Sequence, residues 1–130
     1  MEIAITTSHQ AGYLLATAQG RFALEPAKRH FLALLEVIVR ENAERVLVDA
    51  REVTGKLRVL ERFLYGEFAA HAVARLTELV AIRPPKFAYV AAHPILDPGR
   101  LGENVARERG MNVRAFDSME EALDWLLAES

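Results

Sequence analysis

The sequence contains no cysteine, which excludes disulfides, thiolate metal sites and a cysteine nucleophile. It also has no excess of basic charge, because 16 Lys and Arg residues face 18 Asp and Glu residues and the formal net charge is −2. A phosphate backbone would find no basic field to bind, so we expect no nucleic-acid partner. No HExxH-type spacing of metal ligands occurs, and we expect no metal and no cofactor.

Long hydrophobic runs are also missing, since charged residues interrupt every apolar stretch well before the roughly 18 residues that span a bilayer. The opening segment Met1–Ile5 has no basic stretch followed by an apolar run, so we expect no signal peptide. We therefore expect a cytoplasmic protein without a membrane span. The 130 residues match the usual size of one domain, and residues 1–130 are predicted to form a single domain.

Strands are predicted in two arrangements. Glu2–Thr7 and Gly12–Ala18 have the pattern of short strands, and Ser8–Gly12 between them predicts a hairpin turn. Later apolar runs without alternation are typical of strands buried on both faces of a parallel sheet, and they lie at Val46–Asp49, Phe87–Ala91 and Asn112–Phe116.

Helices are predicted between these strands. Pro26 suits the first turn of a helix whose apolar stripe comprises Phe31, Leu34, Leu35 and Ile38. Asp97-Pro98 predicts a cap and first turn, Gly110 suits the end of that helix, and Ser118 with Glu121 predicts a capping box. The resulting order β-β-α-β-α-β-α-β-α predicts an α/β domain. Its mostly parallel sheet would have about five strands, with one antiparallel N-terminal edge strand and about four helices.

The helix predicted from Arg58 to Leu79 is apolar over most of its circumference. One stripe comprises Leu60, Leu64, Phe68, Ala72, Leu76 and Leu79, and it is widened by Phe63, Tyr65, Ala69, Val73 and Val80. Such a helix is either buried on most sides, or it presents an apolar surface whose candidate residues are Phe63, Tyr65, Phe68 and Val73. That surface would be a dimer face or the wall of an apolar pocket, and Gly66 would permit a close approach there.

A binding site in an open α/β sheet lies beyond the carboxyl ends of the strands. The predicted loop Arg51–Lys56 follows one strand, His93 follows another and Asp117 follows a third. We expect Asp49, Thr54 and His93 to converge there, and the candidate binding residues are Asp49, Arg51, Thr54, Gly55 and His93. A histidine between carboxylates can act as a general base. In the simpler interpretation Asp49 bonds loop amides and Asp117 begins a helix, so we expect no catalytic residue.

Several segments carry a resemblance to a known family. They are Gly20-Arg21-Phe22 before the first helix, Val46–Gly55 in the centre, and Leu101-Gly102-Glu103, Gly110–Val113, Phe116 and Glu121–Leu126 in the C-terminal half. In these segments the chain resembles the SpoIIAA-like proteins, relatives of the STAS domains of bacterial anti-sigma factor antagonists. The resemblance covers nearly the whole chain and implies a STAS-like fold.

The resemblance also implies a non-enzymatic module that binds a protein partner or a second copy of itself, as a homodimer, through the central loop and the long helix. In the antagonist proteins a partner kinase phosphorylates a serine at the start of the helix after the central strand. This sequence lacks the Asp-Ser-Ser-Gly type motif, and Thr54-Gly55 is the nearest match.

Two other functions stay open. The first is a binder of a small apolar ligand or lipid beside the long helix, which agrees with the link of SpoIIAA-like relatives to lipid-carrying domains. The second is a hydrolytic or acid/base enzyme that uses His93 and Asp49.

Overall fold

The computed structural model describes residues 3–128, which alternate between strands and helices as the sequence predicts. The elements are β1 (Ala4–Gln10), β2 (Tyr13–Arg21), α1 (Leu24–Glu41), β3 (Arg45–Thr54), α2 (Val59–Val80), β4 (Lys86–Val90), α3 (Leu101–Glu108), β5 (Val113–Phe116) and α4 (Met119–Leu127). No helix in this described part is long and apolar enough to cross a membrane.

The strands form one five-stranded sheet in the order β1-β2-β3-β4-β5, so neighbours in the chain are neighbours in space. β1 and β2 pair antiparallel, and the remaining strands pair parallel. The predicted antiparallel edge strand is thereby confirmed. The hairpin turn is tighter than Ser8–Gly12, because pairing continues to Gln10 and Tyr13 and Gly12 turns the chain at a φ of 88°. Glu2, the predicted start of the first strand, lies outside the described residues.

The central strand β3 is longer than the sequence indicates, and the predicted loop Arg51–Lys56 is largely wrong. β2 and β3 shift register between Thr17 and Gln19, and pairing then resumes between Gln19–Arg21 and Glu52–Thr54. Because β2 also continues, Glu52, Val53 and Thr54 at the end of β3 each have a partner. Val53 is buried in this extension, and only the residues after Thr54 connect it to the next helix.

Helices cover both faces of the sheet. α1, α2 and α3 pack with the sheet on one face, where Phe31, Ala69 and Ala106 share a core with Phe87 and Val113. The predicted stripe of α1 is confirmed, since its buried residues include Phe31, Leu34, Leu35 and Ile38. On the opposite face, Ala122 and Leu126 of α4 pack with Leu47, Ala88 and Val90.

The two C-terminal helices begin differently from one another. Ser118 caps α4, because its hydroxyl oxygen accepts a hydrogen bond from the Glu121 amide at 3.2 Å, as predicted. α3 begins at Leu101, after the predicted start at Pro98, since the chain makes turns up to Arg100. Asp97 still satisfies the helix start, because its carboxylate accepts from the Leu101 amide at 3.3 Å.

The long helix α2 is only partly buried, so the expectation of burial on most sides is wrong. Its buried residues are Gly66, Ala69, Ala70 and Val73, which recur at i, i+3, i+4 and i+7. The ends of the helix project beyond its neighbours and leave Val59 71%, Leu60 62%, Leu79 71% and Val80 43% exposed. Small residues face inward because they allow the helix backbone to approach the adjoining elements closely.

The backbones of α2 and α3 lie close together at two glycines, Gly66 and Gly102. A Cβ atom on Gly66 would lie 2.4 Å from the carbonyl oxygen of Gly102, and one on Gly102 would lie 3.3 Å from the carbonyl oxygen of Arg62. The atom that such a Cβ would meet belongs to the backbone, which cannot move aside as a flexible side chain could. Any larger residue at position 66 must therefore move a helix. The close approach that Gly66 permits is therefore made with α3.

Replacing Gly66 with alanine should lower the free energy of unfolding by about 1–3 kcal/mol, because the methyl group overpacks the helix contact. In an exposed helix the same change would stabilise by about 1 kcal/mol, so the sign itself is informative. Urea denaturation measures the difference. Gly99→Ala is the control, because its new Cβ would meet only Asp97 at 3.4 Å. A Gly66→Ala protein as stable as the wild type would contradict the close contact.

Candidate functional site

The first predicted site residue, Asp49, lies within β3, and its carboxylate is bound by the side chain of Arg51, two residues further along the strand. The Arg51 side chain donates to the two carboxylate oxygens at 2.9 and 2.8 Å, and the Arg51 amide donates at 3.2 Å. The side-chain hydrogen bond from Arg51 lowers the pKa of Asp49 against the opposing effect of burial. The interpretation in which Asp49 bonds backbone amides is thus confirmed for the amide of Arg51, and the carboxylate is ionised and paired.

The convergence of Asp49, Thr54 and His93 stays a prediction, but the carboxylate of Asp49 is bound by Arg51 and not by either of the other two. Thr54 follows Asp49 along the extended strand by roughly 16 Å, and its hydroxyl donates to Gly20 at 3.5 Å. His93 is exposed after the end of β4, roughly 10 Å of chain beyond Val90, the register partner of Asp49. No hydrogen bond joins these three residues within the described chain. Because β3 continues past Asp49 to Thr54, the carboxyl end of the strand lies further along the chain than the sequence indicates.

The remaining residues of that edge are placed separately. Gly55 turns the chain after β3 at a φ of 104°, and Asp117 is exposed before the cap of α4. The acid/base pair of His93 and Asp49 is therefore not assembled. Within residues 3–128, no three His, Cys, Asp or Glu side chains are grouped so that they could hold a metal ion.

The four predicted apolar surface residues of α2 do not form one surface. Phe63 lies beneath the guanidinium of Arg109, at 5.3 Å. Phe68 packs against the ring of Phe31 in α1, with ring centroids 6.4 Å apart. Val73 is buried in the core. Tyr65 packs against the same Phe31 ring, at 6.2 Å, and it is the one residue of the four that also faces a cavity.

This cavity lies beside α2 and has a volume of about 140 Å³. It is partly open, and it is lined by α2, α3, the carboxyl-terminal end of β4, β5 with the residues just before it, and the segments before α2 and between β4 and α3. Its wall is largely apolar and includes Tyr65, Ala69, Tyr89, Ala106, Met111 and Val113. The position agrees with the general rule that ligands bind at the carboxyl ends of parallel strands. Sequence reasoning missed Tyr89, which is separated from Tyr65 by the rest of α2 and the connection to β4.

Tyr65 and Tyr89 bring the two hydroxyl groups of the cavity wall together. Their oxygen atoms lie 3.5 Å apart. Burial raises the pKa of Tyr65, and burial raises the pKa of Tyr89 well above its usual value, with the nearby Tyr65 adding to the shift. Both side chains therefore stay neutral hydroxyls, and one of them donates to the other.

Arg62 ties α2 to the segment that closes the cavity. Its side chain, only 12% exposed, donates to the carbonyl oxygens of Ile95 at 2.6 Å and Pro94 at 2.7 Å, and to the Asp97 carboxylate at 3.2 Å. Charge-assisted hydrogen bonds of this kind are stronger than neutral ones. The segment after β4 is consequently held against the start of the long helix.

A second arginine fastens α3 to the end of β5. Arg100 donates to the carbonyl oxygen of Ala115, and it lies 3.7 Å from the Glu103 carboxylate. Glu103 in turn accepts a hydrogen bond from the Ala115 amide at 3.0 Å. The charged residues around the cavity, Arg62 with Asp97 and Arg100 with Glu103, therefore form two ion pairs whose charges cancel.

Solved structures with a similar fold include two bacterial proteins. The chain is similar to an anti-sigma factor antagonist from Mycobacterium paratuberculosis, with a TM-score of 0.60 and 13% identity, over 97% of this chain and 95% of that chain. It is also similar to an uncharacterised protein with a SpoIIAA-like fold from Shewanella loihica, with a TM-score of 0.53 and 19% identity, over 96% and 94% of the two chains. No family model and no curated protein matches the sequence. The structures show that the chain has a SpoIIAA-like α/β fold, which confirms the resemblance at the level of the fold.

The tyrosine pair should make stability depend on alkaline pH. Unfolded tyrosines ionise near pH 10, whereas the partly buried pair retains its protons above that pH. The unfolded state then binds fewer protons than the folded state, so the free energy of unfolding should fall as the pH rises above about 10. Urea denaturation from about pH 9 to 11.5 measures the fall. The Tyr65→Phe/Tyr89→Phe variant should lose stability less steeply, and an equal slope in both proteins would rule out the buried pair as its cause.

Proposed function

We propose that this chain is a non-enzymatic, cytoplasmic regulatory module that acts by binding another protein through the surface where α2 begins. The observation that carries this proposal is the exposure of two adjacent apolar residues, Val59 and Leu60, in the first turn of α2. The likeness to an anti-sigma factor antagonist supports a regulatory role, since that protein is named for its action on another protein.

The surroundings of these two residues suit a protein interface. Val59 and Leu60 directly follow the exposed charged residues Lys56 and Arg58, and the exposed end of β3 with Thr54 precedes them. Protein interfaces typically combine an apolar centre with a polar rim, and a few buried anchors supply most of the affinity. We define the α2-start surface as Thr54, Lys56, Arg58, Val59 and Leu60. Of the other residues predicted from the sequence, Gly55 lies in the same connection and Arg51 lies in β3 before it.

The partner test compares the two exposed ends of α2. Val59→Ser/Leu60→Ser removes the apolar pair of the α2-start surface, and Leu79→Ser/Val80→Ser removes the exposed pair at the opposite end. In affinity purification from the cells that naturally make the protein, the first variant should recover the partner at least about tenfold less than wild type. The second should recover it normally. Equal recovery by both variants would exclude the α2-start surface.

The homodimer expected from the sequence is the case in which the partner is a second copy. Light scattering of the same proteins distinguishes it: a wild-type dimer that becomes monomeric in Val59→Ser/Leu60→Ser identifies the second copy as the partner. If the wild-type protein stays monomeric at high concentration, the partner is a different protein.

A second candidate function is the binding of a small, mainly apolar ligand, and the cavity of about 140 Å³ beside α2 supports it. Its wall and its place at the strand ends are those of small-molecule sites. This function does not exclude the first, because the cavity and the α2-start surface are built on the same helix.

Native mass spectrometry of gently purified protein tests the second candidate. Part of the wild-type protein should carry an added mass, and Ala69→Met should show only the mass of the chain because the flexible methionine fills the cavity. Circular dichroism confirms that this variant is folded. A wild-type protein that always carries the bare mass argues against a retained ligand.

A further inference from the structure

The size of the cavity beside α2 limits what it can hold. At about 140 Å³ it is close to apolar cavities of about 150 Å³ that accept a benzene molecule. Pockets for larger ligands have volumes of about 300–1,000 Å³. The space therefore corresponds to a single six-membered ring or a group of similar bulk.

The two tyrosine hydroxyls define the polar requirement of a ligand. With oxygen atoms 3.5 Å apart, Tyr65 and Tyr89 share one O–H donor between them, and the second O–H proton has no partner among the described residues. A hydrogen-bond donor that is left unused in an apolar cavity costs free energy, which a ligand oxygen would recover. The wall otherwise consists largely of apolar side chains such as Ala69 and Met111. A ligand with one oxygen and an apolar body fits this arrangement.

The charges at the cavity favour an uncharged ligand. Arg62 is paired with Asp97 and held by two carbonyl oxygens, and Arg100 is paired with Glu103 and held by one. An anion would have to replace a carboxylate already bound to one of these arginines. A cation would have to replace an arginine. Neither exchange gains an ion pair, and each would leave a partly buried charge without its partner.

We infer that the cavity binds a neutral molecule of the size of one six-membered ring, whose single oxygen accepts a hydrogen bond from the Tyr65–Tyr89 pair. This inference rests on the small-ligand function proposed above and specifies its ligand class. The ring packs against Ala69, Ala106 and Met111, and the oxygen lies next to the two hydroxyls. Arg62 holds the segment Pro94–Asp97 over the bound molecule.

The experiment uses phenol, benzene and decanoate as probes in NMR titrations of isotope-labelled protein at pH 7. Phenol should shift the amide signals of Ala69, Ala106 and Val113 in a saturable manner. It should bind about fivefold more tightly than benzene, because one neutral hydrogen bond contributes about that factor. Decanoate should cause no shift at these residues.

Three variants connect the binding to the structure. Tyr65→Phe/Tyr89→Phe keeps both rings and should bring the ratio of phenol to benzene affinity close to one. Tyr13→Phe is the matched control, because Tyr13 is the third tyrosine of the sequence and packs with α4 on the other face of the sheet. It should leave the fivefold ratio unchanged. Ala69→Met should abolish binding of both phenol and benzene.

The possible contrary results separate this inference from the broader function. Equal affinities of phenol and benzene in the wild type, or an unchanged ratio in the double variant, would overturn the role of the hydroxyl pair. Decanoate binding at the same amides without phenol binding would overturn the ring-sized ligand while supporting a small-ligand function. No response to any probe, together with a bare mass in native spectra, would overturn both.

Discussion

The backbone contact between Gly66 of α2 and Gly102 of α3 is the constraint on which much of the helical layer depends. Because neither residue has a side chain, the two helices lie so close that a Cβ atom on Gly66 would clash with the carbonyl oxygen of Gly102. Both glycines also line the cavity. The same contact therefore sets the position of α3 over the sheet and forms one boundary of the space between them.

Two arginines complete the enclosure around this contact. Arg62 leaves α2 next to Gly66 in space and binds the segment after β4, and Arg100 binds the last part of β5. Their carboxylate partners, Asp97 and Glu103, also accept backbone amides at the start of α3 and at the end of β5. Each charge thus has several partners, which is the condition under which partly buried ions are tolerated. These charged side chains hold the elements around the cavity together, and the two tyrosine hydroxyls lie in its wall.

The elements were predictable where a local signal existed. The apolar spacing of Phe31 to Ile38 identified the buried face of α1 because a helix with one partner layer needs a single stripe. Ser118 identified the start of α4 because the cap is made within four residues of chain. The extension of β3 was not predictable from its own residues, since Glu52 and Thr54 are polar and pair only because β2 offers a longer edge.

The candidate site, like the fold, was predictable from the sequence only in part. By itself, the sequence determined an alternating α/β fold with an N-terminal hairpin and no cysteine chemistry, because these properties follow from periodicity, caps and composition. Tertiary structure alone decided that Asp49 is bound to Arg51 and that Tyr65 meets Tyr89. It also decided which side of α2 is buried. The physical reason is that the apolar content of α2 does not say which of its sides meets another element. The small residues Gly66, Ala69 and Ala70 determine where another backbone can approach the helix.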